Sequence, residues 1–359
     1  MLDVECKTPS LLAKWLKSEN TSSRESQRLG KITRQHFGMT ARQYRKTLSV
    51  LRTRINVLEK LMSENRWDEI EFDKIPSRAG MIYKNAFARH DIERMKSEKN
   101  VQTYADFAKD TTKKVNAKTL YPYECVHEAI KCRNHSLEDT ERLMVNKYWD
   151  NLTDYFNGAS FNGIAVVDTS GSMTGWGNEI APIDVAISLC LYCAEHNSGP
   201  FANYYISFAS KPQLIKTEGV DFCDKVKRIY RTNLIDNTNI EAVFDLLLKI
   251  AIDPRTKRED IPKNIIIISD MEFNSCVRGS QRLLVGNTLF ENINRRWRNA
   301  GYNMPQLTFW NVNARNDRIP MRKEGNVNFV SGMSPVIFQQ VMKGLSAEDL
   351  MMDKLNSER

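Results

Sequence analysis

The chain has 359 residues, of which 41% are hydrophobic and 27% charged, and its formal net charge is +8. This composition is typical of a globular protein with a sizeable core, and no apolar run reaches the roughly 20 residues of a membrane span. The start Met1–Lys7 lacks the basic residues and apolar core of a signal peptide. We therefore expect a cytoplasmic protein without a membrane partner.

The positive charge is confined to the first part of the chain. Residues 1–150 contain 29 Lys and Arg against 21 Asp and Glu, whereas the remaining residues contain 23 of each kind. This asymmetry predicts an anionic partner for the N-terminal part.

The cysteines are odd in number and scattered along the sequence. Cys190 and Cys193 form a Cys-x-x-Cys pair within an apolar helical pattern, but no second pair completes a zinc site. We interpret the cysteines as packed thiols in a reducing compartment.

Residues 1–35 are polar and predict a short helix around Leu11–Leu16 followed by a loosely ordered linker. From Thr40 onwards, apolar residues recur at steps of four and three, which predicts one helix of about six turns. Its apolar stripe comprises Tyr44, Leu48, Leu51, Ile55, Leu58 and Met62. Its basic side chains are Arg42, Arg45, Lys46, Arg52, Arg54 and Lys60. These cations form either a solvated helix face or a surface that binds nucleic acid.

Further helices are predicted up to residue 158. An amphipathic pattern covers 77–98, and a second helix begins at Pro122, where proline is favoured, and runs to residue 133. Ser136 and Asp139 resemble a capping box that opens a helix through residue 155, which Gly158 ends. Residues 36–158 are therefore predicted to form a basic, all-helical region.

After residue 158 the pattern changes to alternating strands and helices. Predicted strands cover 163–168, 203–208, 212–216, 265–268, 306–311 and 326–330. Predicted helices cover 182–196, 220–230, 240–252, 283–300 and 334–343. This alternation predicts an α/β domain over 159–345, with a doubly wound, mostly parallel sheet, and a C-terminal tail over 346–359.

Polar side chains follow the two most apolar strands of this domain. Asp168, Ser170 and Ser172 come after the strand 163–168, and Asp270 comes after 265–268. Ligands of open α/β sheets bind at the carboxyl ends of strands, and oxygen ligands suit a hard cation such as Mg²⁺. Thr238, at the entry of the helix 240–252, is either a further ligand or an N-cap.

These residues resemble the metal-ion-dependent adhesion site of von Willebrand factor A (vWA) domains, a Rossmann-like fold. The resemblance implies that Ser170 and Ser172 bind Mg²⁺, Mn²⁺ or Ca²⁺ directly. It also implies that Asp168, Thr238 and Asp270 complete the metal shell and that one position stays open for an acidic group of a partner. Nearby, Glu272 is either an acid that lies behind the metal ligands or an ordinary loop residue. Trp176 either stacks on a base or lines the ligand site, or it simply packs against the protein.

A wider resemblance covers residues 36–345. The stretches Phe37-Gly38-Met39-Thr40, Asn65-Arg66-Trp67, Ile75-Pro76-Ser77, Ala86-Phe87-Ala88-Arg89-His90-Asp91 and Leu120-Tyr121-Pro122-Tyr123-Glu124 are similar to a domain family of unknown function that joins a helical region to a vWA domain. That family is distantly similar to the Ro (TROVE) proteins, which bind small noncoding RNAs. It occurs in plants, viruses and phages, and the short N-terminal part favours a phage or viral source.

The sequence favours a binding protein over an enzyme. It contains neither a Gly-x-Ser-x-Gly elbow nor a Walker loop, and no histidine lies near Ser170 along the chain. We expect a metal-dependent vWA domain that captures an acidic ligand, joined to a basic helical region that binds RNA. The alternative is a metal-dependent adaptor for protein assembly, without nucleic acid.

Overall fold

The structure is a computed structural model. It describes residues 12–55, 57–97, 101–132, 136–156, 158, 161–175, 179–232, 239–270, 282–313, 321–324, 327–333, 337, 341, 352 and 355, without the side chains of 282–289 and 321–324. The chain forms two compact units, Met1–Lys113 and Lys114–Arg359, here called the N-terminal unit and the C-terminal unit.

The described part of the N-terminal unit is helical. Its helices are α1 Leu12–Trp15, α2 Arg24–His36, α3 Ala41–Arg54, α4 Leu58–Ser63, α5 Ser77–Arg89, α6 Asp91–Met95 and α7 Tyr104–Lys109. Two 3₁₀ turns, Trp67–Glu69 and Phe72–Lys74, connect α4 to α5. Aromatic rings fill the space between these elements: Phe72 lies 5.5 Å from Phe87, 5.0 Å from Tyr104 and 5.4 Å from Phe107, measured between ring centroids.

Helix α2 replaces the linker that we predicted up to residue 35. Ser23 caps it by accepting a hydrogen bond from the N–H of Ser26. Gly30 is its only buried residue, and a Cβ there would lie 2.9 Å from the backbone of Ser18. The prediction was wrong because α2 packs through a small residue and therefore lacks an apolar stripe.

The predicted six-turn helix is divided into α3 and α4. Helix α3 begins at a capping box, in which the Thr40 side chain accepts from the Gln43 N–H and the Gln43 side chain accepts from the Thr40 N–H. It ends at Arg54, where Thr53, Ile55 and Val57 are β-branched and have low helix propensity. The apolar periodicity continues across this break, and Leu48 and Leu51 of α3 and Leu61 of α4 are all buried.

The C-terminal unit contains a seven-stranded sheet of order β3-β2-β1-β4-β5-β7-β6. Its strands are β1 Gly163–Val167, β2 Tyr204–Ser207, β3 Leu214–Lys216, β4 Asn264–Ser269, β5 Gln306–Asn311, β6 Met321–Glu324 and β7 Val327–Ser331. Its helices are α8 Pro122–Lys131, α9 Thr140–Asp150, α10 Pro182–Glu195, α11 Phe222–Arg231, α12 Ile240–Ala251 and α13 Arg282–Asn299. The five central strands are parallel, and β3 and β6 are antiparallel edge strands.

Helices cover both faces of this sheet. On one face, Ile164 of β1 and Ile267 of β4 pack with Phe244 of α12 and Trp297 of α13 in one buried cluster. Helix α10, which is buried nearly all round, packs against β1, β2 and β4 and is covered by α8. The predicted α/β fold, a doubly wound and mostly parallel sheet that follows a helical region, is confirmed.

Several finer predictions differ from the structure. Strand β6 was not predicted, and the helix at 77–98 is interrupted between α5 and α6 at His90. Asp139 is itself the N-cap of α9, accepting from the Arg142 N–H, whereas we placed it inside the helix. The predicted helix 334–343 and tail 346–359 lie outside the described residues except at isolated positions.

Helices α8 and α9 belong to the C-terminal unit, so the compact units divide after Lys113 and not at the predicted boundary of residue 158. The physical reason is packing, because α8 lies on α10 and α11, and α9 lies on α11. The pair Cys190 and Cys193 is buried on α10, and burial raises the pKa of both thiols, which supports their interpretation as packed thiols. Among the described residues, no helix is long and apolar enough to cross a membrane.

Candidate functional site

The candidate site lies where the strand order of the sheet reverses. Strand β1 is hydrogen-bonded to β2 on one side and to β4 on the other, and Val167 is level with Ile268. Asp168 continues this pairing, since its N–H donates to the carbonyl of Ile268 at 3.0 Å. The carboxyl ends of β1 and β4 therefore meet at a topological switch point, where α/β proteins bind ligands.

Asp168 is the buried member of the site, with 1% of its surface exposed. Its Oδ1 accepts the N–H of Ser170 at 2.9 Å, and its Oδ2 accepts the hydroxyl of Ser269 at 2.6 Å. Both donors are uncharged, and Asp168 forms no ion pair with any described residue. A buried carboxylate without a cation is costly, so this position favours the binding of a positive charge.

The side-chain oxygens of Ser170, Ser172 and Asp270 are hydrogen-bonded to one another beside Asp168. The hydroxyls of Ser170 and Ser172 lie 3.1 Å apart, and Ser172 donates to Oδ1 of Asp270 at 3.2 Å. Ser170 and Asp270 are half-buried, whereas Ser172 is exposed and belongs to the short 3₁₀ turn Gly171–Met173. The structure thus places these four residues together, linked by hydrogen bonds.

The geometry of this cluster fits a small divalent cation. Neighbouring ligands of an octahedral Mg²⁺ at 2.0–2.1 Å are about 3 Å apart, close to the 3.1 and 3.2 Å separations of the hydroxyl and carboxylate oxygens. Every donor is an oxygen atom, as Mg²⁺, Mn²⁺ or Ca²⁺ prefers. Asp168, Ser170, Ser172 and Asp270 could therefore hold such an ion.

Sequence reasoning missed Ser269. Its hydroxyl fixes the Asp168 carboxylate from the far side, and the residue has no exposed surface. Hydrophobic periodicity does not reveal the role of a serine at the end of an apolar strand. The one signal in the sequence is its position directly before Asp270, which places it at the same edge of the sheet. The predicted ligand Thr238, and also Glu272 and Trp176, lie outside the described residues.

The second predicted site is the basic surface of the N-terminal unit. Arg42, Arg45, Lys46 and Arg54 are exposed on α3, and none of them forms an ion pair with a described residue. Arg52 instead donates to the carbonyls of Ala13 and Leu16 and to the Ser18 hydroxyl, and so holds α1 against α3. Lys60 pairs with Glu64 on α4. Four of the six predicted cations thus remain available to a ligand.

The compact units also separate the charge. Residues 1–113 contain 23 Lys and Arg against 15 Asp and Glu, a net charge of +8. Residues 114–359 contain 29 of each kind and are balanced. The whole positive excess of the chain therefore belongs to the N-terminal unit, where an anion would be attracted.

Comparison with known proteins gives two family matches. The family described as Domain of unknown function (DUF7788) matches residues 162–358, and the family described as Domain of unknown function (DUF2828) matches residues 6–159. Uncharacterized protein L728 of Acanthamoeba polyphaga mimivirus is 35% identical in an alignment of 346 residues that covers 93% of this chain. The chain spans 58% of the length of that viral relative.

Among solved structures, the chain is similar to the crystal structure of the Deinococcus radiodurans RO (RSR) protein. The TM-score is 0.46 and the sequence identity is 15%. The similarity covers 96% of this chain and 75% of that protein.

Proposed function

The chain belongs to the family described as Domain of unknown function (DUF7788), and we propose that it is a non-enzymatic binding protein with two separate binding surfaces. The C-terminal unit captures an acidic group through a divalent cation, Mg²⁺ or else Mn²⁺ or Ca²⁺. The N-terminal unit binds RNA. The observation that carries the proposal is the cluster of Asp168, Ser170, Ser172 and Asp270 at the switch point of the sheet.

The proposed binding of a cation rests on the negative charge of the cluster and on its exposure to solvent. Asp168, Ser170, Ser172 and Asp270 would hold the cation, and Thr238 is the further ligand that the vWA resemblance implies. A bound Mg²⁺ supplies an electrophilic centre for a carboxylate or phosphate oxygen. The exposed hydroxyl of Ser172 keeps the cluster open to such a group.

The contacts of the two serines support binding over covalent catalysis. Ser170 and Ser172 hydrogen-bond each other, the Asp168 carboxylate and Asp270, and neither contacts a described histidine. A serine nucleophile requires a general base within hydrogen-bonding distance. His127 and His196 of the C-terminal unit are engaged elsewhere, with Asp184 and with the carbonyl of Tyr192.

The RNA part of the proposal rests on the exposed face of α3. This helix contains five Lys and Arg residues and no acid, and Arg42, Arg45, Lys46 and Arg54 point to solvent without an ion pair to a described residue. Such cations neutralise phosphates and release counterions. The upstream motifs resemble a domain family of unknown function, and the distant similarity of that family to the Ro proteins suggests RNA as the nucleic acid.

We expect RNA binding to depend strongly on salt. If these four cations contact phosphates, the affinity for single-stranded RNA falls about 50-fold when the salt concentration is raised fourfold. A variant with all four replaced by glutamine should lose most of this dependence, as fluorescence anisotropy with a labelled RNA will measure. The control replaces four exposed cations of the C-terminal unit, Lys211, Lys216, Arg231 and Lys263, by glutamine. Equal losses in both variants would contradict the assignment to α3.

A pull-down with and without a chelator separates this proposal from its alternative, a protein-assembly adaptor without nucleic acid. The proposal predicts RNA on the purified protein, seen as a raised ratio of absorbance at 260 and 280 nm. A protein partner that is lost both with the chelator and in Asp168→Ala, on material free of nucleic acid, would favour the adaptor. Loss of neither RNA nor protein upon chelation would argue against a role of the cation in capture.

Ser269→Ala tests how the site is organised. Removing the hydroxyl frees Oδ2 of Asp168, so we expect divalent-cation affinity to fall about tenfold to 100-fold, as for other partners that orient metal ligands. Titration with Mn²⁺, followed by the paramagnetic resonance signal of the free ion, measures this affinity. Ser188→Ala is the matched control, since Ser188 is equally buried but donates to the Val185 carbonyl on α10. Unchanged affinity in Ser269→Ala would show that the bond to Asp168 does not orient a metal ligand.

A further inference from the structure

Trp15 is an exposed aromatic residue in the basic N-terminal unit. It ends α1, and 68% of its surface is accessible. The ammonium group of Lys14 lies 5.9 Å from the centroid of its ring. An indole left on the surface in this way offers a flat apolar face beside a positive charge.

A cavity of about 510 Å³ is lined by Lys14, the neighbour of Trp15 along α1. Lys14 lines it together with Arg45 and Arg52 of α3 and Lys60 of α4. Its floor includes Tyr44, which is fully buried and donates its hydroxyl to the carbonyl of Lys17. The volume falls within the range of roughly 300–1,000 Å³ that small organic ligands occupy.

The charges around this cavity favour an anion. Arg45 forms no ion pair with a described residue, and all three acceptors of Arg52 are uncharged. The cavity also contains two acids, Glu19 and Glu59. Glu19 is neutralised by Arg34, whose Nε lies 2.7 Å from the carboxylate, and Lys60 pairs with Glu64. The cavity therefore keeps three cations, Lys14, Arg45 and Arg52, against one acid, Glu59.

The backbone of the segment that carries Lys14 and Trp15 is held against α3 by Arg52. Arg52 donates to the carbonyls of Ala13 and Leu16, on either side of Lys14 and Trp15. Ala13 itself is buried. The aromatic face is therefore presented by a segment that three hydrogen bonds of Arg52 hold in place.

We infer that Trp15 and the adjoining cavity form a binding site for single-stranded RNA, in which one base stacks on the indole and a neighbouring phosphate contacts Lys14 and Arg45. This inference rests on the proposed RNA binding. It adds that the bound RNA is single-stranded and that Trp15 is the residue that recognises an unpaired base. A base inside a duplex cannot stack on an aromatic side chain, because the base pairs above and below it cover both of its faces. The site therefore discriminates single strands from duplexes.

The test is fluorescence anisotropy with a labelled single-stranded RNA of about 12 nucleotides and with the same RNA annealed to its complement. We expect Trp15→Ala to weaken single-strand binding about tenfold and to leave the weaker duplex binding unchanged. Trp15→Phe should retain most of the affinity, since it preserves a stacking face. Arg45→Gln should weaken single-strand binding and reduce the salt dependence by about one phosphate contact.

Ile82→Ala is the matched control, because Ile82 is 71% exposed in the same unit and does not line the cavity. If the unaltered protein binds the RNA and Trp15→Ala binds it equally well, or if the duplex binds as tightly as the single strand, the inference is overturned while RNA binding stands. If the unaltered protein binds neither form, the proposed RNA binding fails and the inference fails with it.

Discussion

Replacing Asp168 with alanine is expected to abolish divalent-cation binding, with an affinity loss of at least about 100-fold. Asp168 is the buried carboxylate of the site, and its two hydrogen-bond donors, the Ser170 N–H and the Ser269 hydroxyl, carry no charge. A cation at the cluster would supply the missing positive charge. Loss of this carboxylate removes one of the two negative charges, those of Asp168 and Asp270, that the described residues place at the site.

Asp168→Asn extends this test because it removes the charge but keeps the shape of the side chain and one acceptor oxygen for the Ser170 N–H, while its NH2 group can donate to the Ser269 hydroxyl. In Mn²⁺ titrations, both variants should bind no ion, whereas the unaltered protein binds a single one. Thermal unfolding provides an independent measurement, since a cation at 100-fold excess over its Kd should raise the Tm of the unaltered protein by about 5 °C or more. Neither variant should show this increase.

Asp253→Asn is the control for these measurements. Asp253 is a carboxylate of the same unit, but it pairs only with Arg255 on an exposed turn. Metal binding should therefore be unaffected by its replacement. If Asp168→Asn binds Mn²⁺ as tightly as Asp253→Asn, the cluster is a hydrogen-bonded loop and not a metal site.

The sequence allowed the proximity of Asp168 and Asp270 to be predicted because the strands that precede them, β1 and β4, are almost entirely apolar. The runs before Asp168 and Asp270 are long enough only for buried strands, and buried parallel strands bring their carboxyl ends to one edge. The parallel pairing of β1 with β4 then joins residues 98 positions apart, as the bond from Ser172 to Asp270 demonstrates. The part played by Ser269 depends on a side-chain direction that no pattern reveals.

Other features depend on contacts between distant residues and could not be predicted in this way. Helix α2 is polar and packs through Gly30, so hydrophobic periodicity does not detect it. Arg52 donates hydrogen bonds to the carbonyls of Leu16 and Ala13, which lie 36 and 39 positions earlier in the chain, instead of extending into solvent. The division of the two units after Lys113 depends on how α8 and α9 pack. The packing of α9 involves an ion pair, Arg142 with Asp221, that the sequence does not reveal.

That ion pair joins Arg142 of α9 to Asp221, the N-cap of α11. Both guanidinium bonds, Nε to Oδ2 and Nη2 to Oδ1, are 2.7 Å long, and Arg142 is 4% exposed. Asp221 also accepts from the Asn146 side chain and from the N–H of Asp224. Nearby, the ring of Trp149 stacks on Phe222 at 4.1 Å. Helix α9 is therefore bound to α11 by polar contacts of Arg142 and Asn146 and by the aromatic contact of Trp149.

Arg142→Ala is expected to destabilise the C-terminal unit by about 3–5 kcal/mol, because it leaves Asp221 partly buried without its cation. Arg228→Ala, on α11, is the control: Arg228 is exposed and pairs with Asp224 at 3.1 Å, so its loss should cost about 0.5 kcal/mol or less. Urea unfolding of the full chain, followed by circular dichroism, measures both values. Equal destabilisation by the two substitutions would contradict the role given to the buried pair.

The same pair predicts how stability responds to pH. Burial by itself would raise the pKa of Asp221, but hydrogen bonds from Arg142, the Asp224 N–H and Asn146 outweigh it and lower the pKa below its ordinary value. A carboxyl whose pKa is lowered by folding stabilises the folded state above its unfolded pKa of about 3.9 and loses this contribution as the pH falls towards its folded value. The stability difference between the unaltered protein and Arg142→Ala should therefore be constant near neutral pH and shrink below about pH 4. A difference that stays constant down to this acidic range would mean that Arg142 acts through packing and not through its charge on Asp221.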